Sequence, residues 1–241
     1  MKDNYENDFE IFLSHTDEKQ ILLAEIFKEI ERNDTKSILD IGAGNGLLSI
    51  PLSQKVINYL AIEQSESFVK KLLKAGVKVI KGIFPVKIDE VFDMVLVCHS
   101  IEYTRDLFEP FIRKAWRSVK PGGVFLLVTY KGQEDDWTRL MKDLGDNRES
   151  LNRIGFNKIV ELLFSLGEVK MRKVTTQVKT DKLDDMVQAV AFVASDGRLD
   201  KKEKFLKNRL QLEKILERKY HNKHGYSFPF QHFFVITRRM L

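Results

Sequence analysis

The chain has 241 residues, 43% of them hydrophobic and 31% charged, which excludes a disordered polyampholyte and leaves room for a sizeable core. No apolar run is long enough to span a bilayer, and the polar, acidic start "MKDNYENDFE" does not read as a secretory signal. A single cysteine, Cys98, allows no internal disulfide, and a formal net charge of +5 hints at an anionic partner. The expected compartment is therefore reducing and cytoplasmic.

In chain order, "SHTDEKQILLAEIFKEIER" predicts a helix, with Ser14 as its cap and Asp17 completing a capping box. "SILDI" is a short strand that is apolar around Asp40. "GLLSIPLSQ" is a short helix confined by Pro51. "INYLAIE" gives a second strand, and "ESFVKKLLKAG" a helix that stops at Gly76. "VKVIKG" and "VFDMVLVCHS" are strands three and four. A helix over "DLFEPFIRKAWRSVK" ends in a Pro-Gly-Gly turn before strand five, "VFLLVTY". Continuous apolar strands alternating with helices predict an α/β fold with a mostly parallel sheet covered on both faces.

The last third differs. "LNRIGFNKIVELLFSLG" predicts a helix and "EVKMRKVTTQVKTD" a strand, with helices near 182–194 and 199–222 after it. "YSFPFQHFFVITRR" closes the chain as a strand with apolar residues on both faces, which places it inside the sheet. The helices before it are then an insertion. Between Asp196 and Lys223 stand ten Lys or Arg against five Asp or Glu, enough to account for the whole positive excess. Its apolar residues recur at helical spacing, so a solvated amphipathic face is one reading and an RNA-facing patch another.

The chemistry is concentrated in "ILDIGAGNGLLSI", residues 38–50. A dinucleotide loop reads G-x-G-x-x-G, whereas here Gly42, Gly44 and Gly46 give G-x-G-x-G, with Leu47 at the third dinucleotide position. Asp40 stands before the loop, and a carboxylate aimed at the ligand would repel a pyrophosphate. It would favour an amino group or a sulfonium, and S-adenosylmethionine has both. Glu63, at the end of the second strand, can accept hydrogen bonds from ribose hydroxyls.

"LDIGAGNG" resembles motif I of the class I S-adenosylmethionine-dependent methyltransferases, and "AIEQS" resembles their acidic second motif. The strand–helix plan is similar from about residue 36 onward, including "VKPGGVFLLV". The resemblance implies a Rossmann-like, seven-stranded, mostly parallel sheet with a reversed final hairpin. It implies one domain over 1–241, with an N-terminal helical segment 1–35 and an insertion 181–224 in the places where small-molecule members build a lid. It further implies that Asp40, Gly42, Gly44 and Asn45 line the methionine part of the cofactor, Glu63 the ribose and Gln64 the adenine edge. Where many members carry an acid after strand three, this chain has Ile83, which leaves adenine to apolar contact and backbone. Cys98, at the end of strand four, is placed at the cofactor site by position and reads chemically as a small core residue.

The acceptor is approached by exclusion. "CHSIEY" after strand four lacks the Pro-Pro-Tyr type motif of base-methylating enzymes. Cys98 follows Val97 rather than a proline, unlike the cytosine C5 nucleophile, and the glutamate pattern of protein arginine enzymes is absent around Glu102 and Glu109. No His/Asp/Cys grouping has metal-ligand spacing, so no metal is expected. A small-molecule amine, hydroxyl or thiol remains. His99 and Tyr103 follow strand four at the carboxyl edge where ligands bind, His99 as a general base or positioning donor. Phe9, Phe12, Tyr130 and Trp137 are pocket candidates, although ordinary core or loop packing accounts better for any one of them, and His15 is explained by helix capping. Two other readings stay open: an RNA methyltransferase using 196–223, and a cofactor-binding protein without chemistry. An NAD-dependent oxidoreductase conflicts with Asp40 and Leu47.

Overall fold

A computed structural model describes residues 4–101, 104, 107–130, 135–145, 149–195 and 199–241. The elements run α1 (Asn4–Ser14), α2 (Glu18–Arg32), β1 (Ser37–Ile41), α3 (Ser49–Lys55), β2 (Asn58–Glu63), α4 (Glu66–Lys74), β3 (Val79–Lys81) and β4 (Phe92–Cys98). They continue α5 (Phe108–Arg117), β5 (Val119–Tyr130), α6 (Asp136–Asp143), α7 (Glu149–Leu166), β6 (Glu168–Thr180), α8 (Leu183–Ser195), α9 (Leu199–Leu206), α10 (Arg209–Tyr220), β7 (His221–Asn222) and β8 (Gly225–Arg238).

The sheet has the order β3-β2-β1-β4-β5-β8-β6, with the two-residue β7 paired to β8 off this path. β1 pairs in parallel with β2 and β4, and β4 in parallel with β5. β8 is antiparallel to β5, with Leu127 opposite Val235 and Tyr130 opposite His232. The expected α/β plan with a reversed final hairpin is therefore the observed one, and β8 sits inside the sheet as its two apolar faces require. Every residue of β1 is buried, as befits a parallel strand covered on both sides.

The chain divides into two compact units. The larger consists of Leu22–Lys131, Ile154–Val174 and His232–Leu241. Its core packs Leu39, Ile41, Val95, Val97, Phe125 and Leu127 of the sheet against Ile112, Ala115 and Trp116 of α5. At roughly 1.5–3 kcal/mol for each large apolar side chain fully buried, this core is the main source of the unit's stability. The other unit consists of Met1–Ile21, Gly132–Arg153 and Thr175–Gln231. An aromatic cluster binds it: Phe12 lies 5.4 Å from Phe192 and 6.3 Å from Phe230, and Trp137 lies 5.6 Å from Phe230.

Several elements differ from expectation. Ser14 does not cap the long helix. It ends α1 and donates to the Ile11 carbonyl, while Thr16 Oγ1 accepts from the Glu18 N–H at the start of α2. Asp17 accepts from the Gln177 N–H in place of closing a capping box. The 199–222 helix is two helices that meet at Asn208. α6 is an additional helix, capped by Asp135, which accepts from the Thr138 N–H at 2.7 Å. Strand five starts earlier than expected, at Val119, because Lys120–Gly123 form an irregularity in the β4–β5 ladder. Among the described residues no helix is long and apolar enough to cross a membrane.

Candidate active site

The carboxyl ends of β1, β2 and β4 lie side by side in the larger unit, with Ile41 opposite both Ile62 and Val97. Loops leaving parallel strands at such an edge form the ligand-binding crevice of open α/β sheets. After β1 the backbone turns through Gly42 and Gly44, both at positive φ, and the N–H groups of Gly42 and Ala43 donate to the Ile62 carbonyl. A Cβ on Gly42 would lie 2.5 Å from that of Ser100, whereas a Cβ on Gly44 would meet nothing within 4 Å. The first glycine is thus required by packing and the second borders open space.

Glu63 ties the two motifs together. Its Oε2 accepts from the Gly44 N–H at 2.8 Å and its Oε1 from the Ser65 N–H at 2.7 Å. A carboxylate offers about four acceptor sites, so two further donors can be accommodated. Asn45 is buried and its Oδ1 accepts from the Leu47 N–H, while its Nδ2 has no hydrogen-bond partner. A buried amide donor without a partner calls for a ligand acceptor.

Asp40 behaves differently from the sequence reading. It is 3% exposed and followed by Ile41 before the strand ends, and its Oδ2 accepts from Tyr59 Oη at 2.5 Å and from Ser49 Oγ at 2.6 Å. Ser49 also lies 3.0 Å from the Ala43 carbonyl. These hydrogen bonds tie the buried Asp40 carboxylate to Ser49 at the start of α3 and to Tyr59 of β2. Burial, followed by the Asp40 charge, holds the Tyr59 phenol well above its ordinary pKa.

Gln64 is exposed, and Ile83 is 73% exposed. Ile83 follows Gly82, whose N–H donates to the Glu63 carbonyl at 2.9 Å, so it stands at the same strand end as Gln64. Cys98 is half-buried at the end of β4. His99 follows it at φ +52°, an uncommon conformation for a residue with a side chain. Its ring stacks on Tyr130 with centroids 4.3 Å apart, and its Nε2 lies 3.0 Å from His232 Nδ1. Ser100 Oγ donates to the Ile41 carbonyl at 2.6 Å, which fastens this turn to the glycine loop. Tyr103 and Glu102 lie outside the described residues. Phe9, Phe12 and Trp137 belong to the aromatic core of the other unit.

The sequence reading did not find Ser49, Tyr59, Ser100 or His232. Their partners become evident only once strand register is known, because Tyr59 lies diagonally opposite Asp40 and His232 directly opposite Tyr130. In the basic stretch, Lys202 pairs with Asp8, Arg209 with Asp184 and Glu213, and Lys219 with Asp143. Lys202, Arg209 and Lys219 thus have acidic partners within their own unit.

A glycine turn after the first strand, an acid closing the second and the strand order of the sheet are the features that the resemblance to class I methyltransferases implies. Residues 39–127 match the family model described as "Methyltransferase domain". It is 32% identical over 103 residues to a ubiquinone biosynthesis O-methyltransferase of Methylobacterium nodulans, a match covering 39% of this chain and 40% of that protein. The same-named protein of Rickettsia canadensis is 28% identical over 99 residues, covering 38% and 42%. The matches thus span about two fifths of these curated relatives. In fold, the chain resembles the YcgJ protein of Bacillus subtilis, with TM-score 0.61 and 16% identity over 91% of this chain and 98% of the other. It also resembles a SAM-dependent methyltransferase of Geobacter sulfurreducens solved with S-adenosyl-L-homocysteine, with TM-score 0.57 and 16% identity over 97% and 98%.

Proposed function

We propose that the protein is an enzyme that methylates a hydroxyl group of a small molecule, with S-adenosylmethionine as methyl donor, in a reducing compartment such as the cytoplasm. The observation that carries the reading is the joined Gly42–Asn45 loop and Glu63, with open space at Gly44 and a buried, unpartnered amide nitrogen on Asn45. These residues fit the cofactor. Gly44 and Asn45 would border its methionine part, and Glu63 has acceptor capacity left for ribose hydroxyls. Gln64 and the exposed, apolar Ile83 would flank the adenine. Asp40 and Gly42 would act one step back, by fixing the shape of the loop.

The cofactor supplies an electrophilic methyl group on a sulfonium. The chain's own task is to position a nucleophile, exclude water and accept a proton. His99 is the group proposed to accept the hydroxyl proton. It stands at the end of β4, and its turn is fastened to the glycine loop through Ser100. The choice of a hydroxyl over an amine or thiol is supported by the O-methyltransferases to which the central segment is similar.

The test is calorimetric titration of the purified full chain with S-adenosylhomocysteine, S-adenosylmethionine, NAD and NADP, followed by a methyl-transfer assay over phenols, amines and thiols. Binding of S-adenosylhomocysteine with turnover of a phenol supports the reading. Binding of NAD or NADP alone overturns the cofactor, and cofactor binding without turnover of any acceptor overturns the enzyme. His99→Ala should lower turnover far more than cofactor affinity, by roughly the hundredfold or more that general base catalysis contributes.

A further inference from the structure

The cations of α10 fall into two kinds. Arg209 pairs with Glu213 and Asp184, and Lys219 with Asp143. Lys214 and Arg218 are exposed, and neither has an acidic partner among the described residues. They stand four residues apart, so their side chains are neighbours on one face of the helix. Like charges at this spacing repel and cost helix stability. Glu217, three residues beyond Lys214, is engaged elsewhere: it accepts from Tyr226 Oη and lies 3.4 Å from His221 Nδ1.

The same two side chains line a surface concavity of about 350 Å3, together with Gln211, Ile215 and Asp143. That volume falls within the range of small-ligand sites. All five residues belong to one unit, and hydrogen bonds between α6 and α10 set the shape of the concavity. Gln211 Nε2 donates to the Asp143 carbonyl at 2.7 Å, and Lys219 Nζ donates to the Asp143 carboxylate at 2.5 Å. The acid of this lining is therefore already paired. Ile215, which is buried, supplies an apolar wall. Two positive charges are left over on the side of α10.

We propose that this concavity binds a phosphate group, with Arg218 and Lys214 as its cations. The guanidinium of Arg218 presents a planar fork that matches two phosphate oxygens, and the ammonium of Lys214 adds a point charge. A phosphate monoester carries a charge of about −1.5 to −2 at pH 7, which balances the two cations and removes their repulsion. A single carboxylate would leave one of them unbalanced. Gln211 has a second amide hydrogen beyond the one given to Asp143 and can add a neutral donor. The site needs neither S-adenosylmethionine nor His99, so it stands independently of the methyl-transfer reading. The phosphate can belong to a small molecule or to an RNA strand, and the same chemistry recognises both.

The test is thermal unfolding of the full chain in potassium phosphate and in potassium chloride at equal ionic strength. Phosphate stabilises folded proteins in general through exclusion from their surface, so the readout is the difference between variants. The wild type should gain more from phosphate than Lys214→Gln or Arg218→Gln, and the double variant should lose the excess. In chloride the double variant should be at least as stable as the wild type, because the repulsion is gone. Lys204→Gln and Lys207→Gln remove exposed cations of the same stretch that do not line the concavity, and they should keep the wild-type gain. An equal gain in every variant overturns the proposal. So does an excess lowered as much by Lys204→Gln as by Arg218→Gln, which would reflect net charge alone.

Phosphate titration of the nitrogen-15-labelled full chain locates the site without a variant. Saturable shifts of the backbone amides of residues 211–218 are expected, and shifts that never saturate, or that spare α10, overturn the proposal. A short single-stranded RNA then separates the two sources. Displacement of phosphate by RNA, with a log Kd against log salt slope lowered by about 0.7 for each cation removed, assigns the site to a nucleic-acid strand. Saturable phosphate binding that RNA leaves in place assigns it to a small phosphate-bearing ligand. S-adenosylhomocysteine affinity should be the same in all of these variants, so failure of the cofactor reading and failure of this one are separate results.

Discussion

Glu63 Oε2 accepts the backbone N–H of Gly44 at 2.8 Å, so the acid that closes β2 and the loop that leaves β1 form one hydrogen-bonded piece. The same carboxylate accepts from Ser65 through its other oxygen. Glu63→Gln is nearly isosteric, yet it turns an NH2 group toward one of these N–H donors. Glu63→Ala leaves both N–H groups without this acceptor, at about 1–3 kcal/mol for each group left buried and unsatisfied. Both variants should raise the S-adenosylhomocysteine Kd at least tenfold, measured by calorimetry, with Ala the more destabilised in urea. Unchanged affinity in both would remove Glu63 from the cofactor site.

Asp40, Tyr59 and Ser49 make a buried polar knot under the loop, and the strongest test of it is Tyr59→Phe. The change removes one donor to a charged acceptor and leaves the ring, so stability should fall by about 1.5–3 kcal/mol. The Tyr59 pKa is raised in the folded state, chiefly by burial and then by the Asp40 charge. Its contribution is therefore fully present below the unfolded phenol value of about 10 and is lost as pH rises toward the higher folded value. Denaturation curves from pH 8 to 11 should show a decline in the wild type that is smaller in Tyr59→Phe. An identical decline in the two would assign the alkaline loss to other groups.

A second polar cluster lies at the opposite end of β1. Asp93 accepts from the Lys36 N–H, Ser37 Oγ and Lys120 Nζ at 3.0, 2.8 and 2.9 Å. Desolvation pushes its pKa up, but the hydrogen bonds and the charge of Lys120 prevail and the net shift is downward. A lowered folded pKa means that the contribution is present above the unfolded value of about 3.9 and disappears as pH falls through the folded one. Asp93→Asn should lower stability at pH 7 and flatten the acid limb of the pH profile below about pH 4. Because Asp93 is far along the strands from the glycine loop, S-adenosylhomocysteine affinity at pH 7 should hold. A variant with the wild-type acid limb would exclude Asp93 as its source.

The parallel sheet was legible because its strands are continuous apolar runs, and the position of β8 because Phe233 and Val235 put apolar residues on the face opposite Phe234. The glycine loop was legible because a left-handed backbone restricts residue type, and Glu63 because it closes an apolar strand. The surroundings of Asp40 were not. Its partner Tyr59 lies 19 residues away in a neighbouring strand, and which residues face each other follows from register, which local pattern does not encode. The His99–His232 contact spans 133 residues and depends on the same long-range pairing. Ser14 misled because Ser serves the end of one helix as readily as the start of the next, and here its hydroxyl turned back to Ile11. α6 was missed although Trp137, Leu140, Met141 and Leu144 recur at helical spacing, because the helix is only eight residues long and Asp135, which caps it, is a signal only after the helix is suspected.

Gly42 and Gly44 carry the same left-handed backbone but different surroundings, and substituting each separates packing from ligand access. Gly42→Ala adds a Cβ 2.5 Å from that of Ser100, whose hydroxyl is held by the Ile41 carbonyl. Either the loop or the turn carrying His99 must shift. The variant should lose several kcal/mol, because overpacking at roughly 1–3 kcal/mol adds to a similar conformational penalty of about 1–2. Gly44→Ala suffers only the conformational penalty, since its Cβ meets nothing within 4 Å. Its stability should therefore fall by about 1–2 kcal/mol. Its S-adenosylhomocysteine affinity should fall by much more than that of a control at Gly76, which also has positive φ and an open Cβ position but follows α4. Urea denaturation and calorimetry on Gly42→Ala, Gly44→Ala and Gly76→Ala make the comparison. Equal cofactor affinity in Gly44→Ala and Gly76→Ala would mean that the open space at Gly44 is solvent and no part of the ligand's bed.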